Sequence, residues 1–142
     1  MPIVTPELPP EAIEAARLVG WRALLEESEQ VVAAVELPGA DPGRAGALVN
    51  RSAFVASTVT ALNVAEQHES VAAERRELRL LRVNALYLLA LWLRAAEPGA
   101  DVFVPLSPAP PPLRADTTYE RVAFEEQLSE LARSVASSYE RA

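Results

Sequence analysis

The chain contains no cysteine and no lysine. The first absence excludes disulfides, thiolate nucleophiles and every zinc site that uses a Cys ligand. The second excludes Schiff-base catalysis and a Walker-type phosphate loop, since both need the lysine amine. All 13 basic residues are therefore arginine, and this composition, rich also in Ala and Pro, looks like the codon bias of a GC-rich bacterial genome. Histidine occurs once, at His68, with Glu66 and Glu69 near it. Residues two apart on a helix diverge, and the Glu-x-x-His spacing of di-iron bundles is missing. A surface or turn histidine is expected, with no metal and no cofactor.

Aromatic residues make up only 6% of the chain, which leaves a core of Leu, Val and Ala and favours helices over a β-sandwich. No serine sits among the glycines of a nucleophile elbow. The loop Gly39–Gly46 matches neither the dinucleotide nor the Walker pattern, so no catalytic residue is expected. Residues 1–10 show neither a basic n-region nor an apolar h-region, and a cytoplasmic setting is expected.

At 142 residues the chain suits a single domain, over 1–142, with a core of its own. A net charge of -7 disfavours nucleic acid, where phosphate neutralisation supplies most non-specific affinity. It equally disfavours anionic membrane surfaces. A protein partner, or a second copy of the chain, remains.

The stretch Leu78–Leu93 organises the rest. From Val83 to Leu93 only Asn84 lacks an apolar body, and the run is about half the ~20 residues needed to cross a bilayer. Wound as a helix it leaves no face polar, and such a helix is buried on all sides. The sequence therefore predicts an all-α fold, an antiparallel four-helix bundle with helices over about 10–36, 46–68, 71–96 and 117–141. The first is carried by the stripe Leu18, Trp21, Leu25, Ser28, Val32 and Val35, although Val31–Leu37 also fits a short strand. The last is carried by Phe124, Leu128, Leu131, Val135 and Ser138, behind a capping box of Thr117 and Glu120. No glycine or proline separates the middle two, so one unbroken helix over 46–97 is the alternative. Polar residues between Glu66 and Arg82 interrupt the heptad seam and favour the break.

Four prolines in the first ten residues make 1–9 an extended arm, and Pro98-Gly99 with Pro108–Pro112 makes 98–116 a Pro-rich crossover. Ile3-Val4-Thr5-Pro6 echoes Val102-Phe103-Val104-Pro105, which fits a short two-stranded contact between 2–5 and 102–105.

Two sets of residues are candidates for recognition. Arg75, Arg76, Arg79 and Arg82 form the first, and Arg75, Arg79 and Arg82 share one helix face. They suit a carboxylate-rich partner, or else a solvated face balanced by Glu66, Glu69, Glu74 and Glu77. The second set is Thr58, Asn63, Asn84, Tyr87 and Trp92, which would line a pocket between the second and third helices. Asn84 also suits a structural part, since a buried amide must find partners and fixes register. The leading expectation is a non-enzymatic interaction or assembly module, homo-oligomeric or an adaptor subunit of a larger bacterial complex. The alternatives are a small-molecule binding bundle using that pocket, and an acidic neutraliser or chaperone of a basic protein, steered by the net charge.

Overall fold

In a computed structural model the chain folds as a mixed sheet with a helix on each face. The structure describes residues 1–5, 16–38, 48–50, 53–68, 76–97 and 99–140. Its strands are β1 (Pro2–Thr5), β2 (Arg17–Glu27), β3 (Gln30–Pro38), β4 (Leu48–Asn50), β5 (Glu77–Val83), β6 (Leu88–Arg94), β7 (Val102–Pro105) and β8 (Tyr119–Glu120). Helix α1 spans Ala53–Gln67 and α2 spans Arg121–Glu140. The spatial order is β4-β3-β2-β1-β5-β6-β7-β8. Every adjacent pair is antiparallel except β1 with β5, at the centre.

The all-α bundle is thus overturned, and the apolar run that suggested it is the reason. Side chains alternate across a strand, and here both sides are covered. On β5, β6 and β7, Leu81, Val83, Leu88, Ala90, Trp92 and Phe103 join Phe124, Leu128 and Leu131 of α2. Their neighbours Leu80, Leu91, Leu93, Val102 and Val104 join Ala61 and Ala65 of α1. A strand buried on both faces reads as a continuous apolar run, as a buried helix does. Leucine's helix propensity, a few tenths of a kcal/mol, is easily outweighed by such burial.

The individual expectations fare differently. The predicted first helix is, from Arg17 onward, the hairpin of β2 and β3; its start, over 10–15, lies outside the described residues. The second survives as the shorter α1, whose Val55, Thr58, Ala61 and Ala65 face the sheet. The third is β5 and β6, so 46–97 is neither one helix nor a helical hairpin. The fourth is α2, with its stripe buried as far as Leu131, but it starts at Arg121; Glu120 belongs to β8, and the Thr117 hydroxyl donates to the Ala115 carbonyl rather than capping. Residues 2–5 and 102–105 are both strands, yet β5 and β6 separate them, so the expected contact between them does not form.

The Pro-rich crossover is folded back rather than spacer-like. The Leu106 amide donates to the Leu89 carbonyl at 2.8 Å, and Leu113 is buried in the α2-side core. The Ser57 hydroxyl on α1 donates to the Ser107 carbonyl at 2.7 Å. Between β6 and β7 the buried Asp101 accepts from the Trp92 indole at 2.8 Å and the Ala95 amide at 3.0 Å, with Arg121 of α2 at 3.7 Å. Among the described residues no helix is long and apolar enough to cross a membrane.

The β2–β3 turn carries a correctable cost. Ser28 and Glu29 both have positive φ, 52° and 66°, between the paired Glu27 and Gln30. A two-residue loop with both φ positive is the type I′ turn, whose preferred residues are Asn and Gly. The double substitution Ser28→Asn/Glu29→Gly is expected to stabilise the protein by about 1 kcal/mol. Urea denaturation would show it as a higher midpoint, and an unmoved midpoint would count against strain at this turn.

Candidate functional site

Pairing on the long hairpin sets Arg22 opposite Glu36. Arg22 is on the α1 side of the sheet, 4% exposed, and donates through both Nε and Nη2 to Glu36 Oε1. Its Nη1 reaches the Thr58 hydroxyl on α1 at 3.4 Å. Arg82, on β5, donates from Nη2 to the same Glu36 oxygen at 2.8 Å. Glu36 and Arg82 lie three strand spacings apart, roughly 14 Å in a flat sheet. Arg82's long side chain and the twist of the sheet, sharpened where the register slips between Ile3 and Val4 and between Leu25 and Glu26, close that gap. Two guanidiniums thus share one carboxylate. Burial pushes the Glu36 carboxyl upward, but the hydrogen bonds and charges of Arg22 and Arg82 outweigh it and hold the pKa below its ordinary value.

Arg82 also lines a cavity. β5 and β6 are joined by a 3-10 turn at Asn84–Leu86, followed by Tyr87 in the left-handed region at φ 54°, its amide donating to the Asn84 carbonyl at 3.1 Å. Leu86 turns inward and Tyr87 outward, 88% exposed. A left-handed conformation is uncommon for a bulky residue and marks a position worth attention. Around this turn Arg82, Asn84, Tyr87, Leu88, Leu89 and Pro108 enclose about 480 Å³. The lining is mostly apolar, with Arg82, Asn84 and Tyr87 as its polar residues, which is the composition of a small-molecule pocket. Among these residues Arg82 alone carries a formal charge.

The two sets named from the sequence are redistributed. Arg75 lies outside the described residues. Arg76 donates to the Ala100 carbonyl at 3.3 Å. Arg79 pairs with Glu77 at 3.1 Å and lies over the Trp92 ring at 5.1 Å, on the α2 side. An odd spacing on a strand puts Arg79 and Arg82 on opposite faces, so the shared helix face does not exist. Of the second set, Thr58 is buried against Arg22, and Trp92 is fully buried and committed to Asp101. Asn63 lines a different groove, between α1 and the β2–β3 turn, with Glu26, Glu29 and Glu66. Asn84 and Tyr87 do meet, at the β5–β6 turn, and Asn84 is exposed rather than a buried polar demand.

Arg22, Glu36, Leu88, Leu89 and Pro108 carry no functional reading from the sequence. The signal for the first two is the pairing of opposite charges across Ser28-Glu29, Arg22 six residues before Ser28 and Glu36 seven after Glu29, with the register slip between Leu25 and Glu26 absorbing the difference. Among the described residues no three His, Cys, Asp or Glu side chains gather where they could hold a metal ion, and Glu69 lies outside those residues.

Comparison of the chain with protein-family models, with curated proteins and with solved structures found no match.

Proposed function

We propose that this chain is a non-enzymatic binding module whose ligand seats in the pocket at the β5–β6 turn. The observation that carries the reading is the pocket itself, about 480 Å³, with a mostly apolar lining that also includes Arg82, Asn84 and Tyr87. Its size falls in the range of small-molecule sites. No lining residue among those described is a carboxylate, histidine or serine, which supports binding over acid–base or nucleophilic chemistry. A cytoplasmic setting belongs to the same proposal and rests on the sequence alone.

The test is amide chemical-shift mapping with three ligands of one shape, phenylpropanoate, phenylpropanol and phenylpropylammonium. Saturable shifts at Asn84, Tyr87, Leu88 and Leu89 with at least one of them are expected. Silence at all four positions with all three would remove the pocket as a binding site.

A second reading, self-assembly, is favoured by the far end of the β2–β3 hairpin. The strand pairing of β1 with β2 stops at Trp21, and beyond it Leu25 is 42% exposed. An apolar side chain on a projecting ribbon suits a contact with a second copy. Light scattering should then find a dimer in the wild type and a monomer in Leu25→Glu. A strictly monomeric wild type sinks this reading and leaves the pocket reading intact.

A further inference from the structure

Among the described residues the Glu36 junction is unbalanced, with two guanidiniums facing one carboxylate. The two arginines are not equivalent. Arg22 is almost wholly buried, makes two hydrogen bonds to Glu36 and one to Thr58, and accounts for the carboxylate's charge by itself. Arg82 is the surplus. Its side chain keeps 27% of its surface exposed and commits one nitrogen, Nη2, to Glu36. A guanidinium has five N–H donors in a planar fork, so most of its capacity remains for another acceptor. Arg82 also lines the apolar pocket, together with Asn84, Tyr87, Leu88, Leu89 and Pro108.

From this we infer that the pocket's ligand is a carboxylate with an apolar body, its carboxyl group taken by Arg82 and its body laid against Leu88, Leu89, Pro108 and the Tyr87 ring. It rests on the pocket being a binding site, as proposed above. Arginine suits a carboxylate better than lysine does, because the fork matches the two oxygens in one plane. The apolar walls strengthen that contact by keeping water from it. The second carboxylate also completes the local charge count at two positive and two negative. The chain's net charge of -7 opposes an anion only at long range, and salt at physiological strength screens it within about 8 Å. Recognition is therefore local.

The three isosteric ligands separate this inference from the pocket reading. Phenylpropanoate is expected to bind at least tenfold more tightly than phenylpropanol, and phenylpropylammonium more weakly than either. Arg82→Gln leaves Arg22 and Glu36 as a balanced pair, so the fold should persist, which circular dichroism would confirm. In that variant phenylpropanoate affinity should fall about tenfold, the scale of a lost charge-assisted hydrogen bond, while phenylpropanol stays within about twofold. Arg82→Lys, which restores the charge without the fork, should recover part of the loss. Equal affinities for the acid and the alcohol, or an Arg82→Gln variant that binds the acid as the wild type does, would overturn the carboxylate inference and leave the pocket standing. Should none of the three bind, both fall together.

Discussion

Replacing Glu36 with alanine is expected to cost about 3–5 kcal/mol, the effect of removing one partner from a buried ion pair. The magnitude follows from what stays behind. Arg22, 4% exposed beneath α1, keeps its charge, because an arginine does not give up its proton in a protein. Its remaining contact within the cluster is the neutral Thr58 hydroxyl at 3.4 Å. Against a total stability of some 5–15 kcal/mol, that loss is severe. Urea denaturation followed by tryptophan fluorescence would measure it. The double replacement Arg22→Met/Glu36→Leu should return most of the loss, since a buried pair exchanged for apolar residues is often neutral. A double variant as unstable as Glu36→Ala would mean that packing, not charge, is what Glu36 supplies.

The same carboxylate sets a pH dependence. Its pKa in the folded protein lies below the ordinary 4.5 because Arg22 and Arg82 outweigh the cost of burial. A depressed folded pKa means that the unfolded chain takes up the proton first. The contribution is therefore complete above 4.5 and is lost as pH falls through the folded value. Glu36→Gln cannot titrate, so its stability should decline less steeply than that of the wild type below this point.

Phe103→Ala should be the most damaging truncation in the α2-side core, at about 3–5 kcal/mol. Phe103 is completely buried on β7, with its ring 4.2 Å from Phe124 of α2 and 5.7 Å from Trp92 of β6. Its removal forfeits two aromatic contacts and opens a cavity at the seam where α2 meets the sheet. Trp92 hydrogen-bonds to Asp101, which keeps that side of the gap from collapsing inward. Phe103→Leu, which retains most of the volume, should lose far less. If Phe103→Ala costs under 1 kcal/mol, α2 is not held by this stack.

The stripe that identified α2 was plain in the sequence because that helix has one apolar side, ending in water on the other. The two strands 2–5 and 102–105 were also visible as β-branched pairs bounded by prolines. Leu80 and Leu81 show why the centre was not. Both are wholly buried, one beneath each helix, so neither the alternation of a half-buried strand nor the stripe of a surface helix appears. Arg17–Pro38 misled for a different reason. Leu18, Trp21 and Leu25 fall at helical spacing, and the turn at Ser28-Glu29 holds neither glycine nor asparagine to mark it. At the pocket, Arg82, Asn84 and Tyr87 each stood out for chemistry, but from separate hypotheses. What joined them is the reversal of direction between β5 and β6, which an unbroken helical reading does not contain.

The parallel pairing at the centre of the sheet constrains how the chain is made. Ile3 and Val4 lie between β2 and β5, with Leu80 and Leu81 as their partners on one side. During synthesis β1, β2 and β3 emerge early and can form a meander at once. The flank of β1 that will become the middle of the sheet then waits for β5, from the far half of the sequence. Contacts of such long separation are entropically slow to close. Until they do, a nascent chain displays an apolar strand edge where the finished molecule has the centre of its sheet. Among the strand pairs of the sheet, β1 with β5 closes the longest stretch of sequence, so the two halves of the sheet are joined by its least local contact.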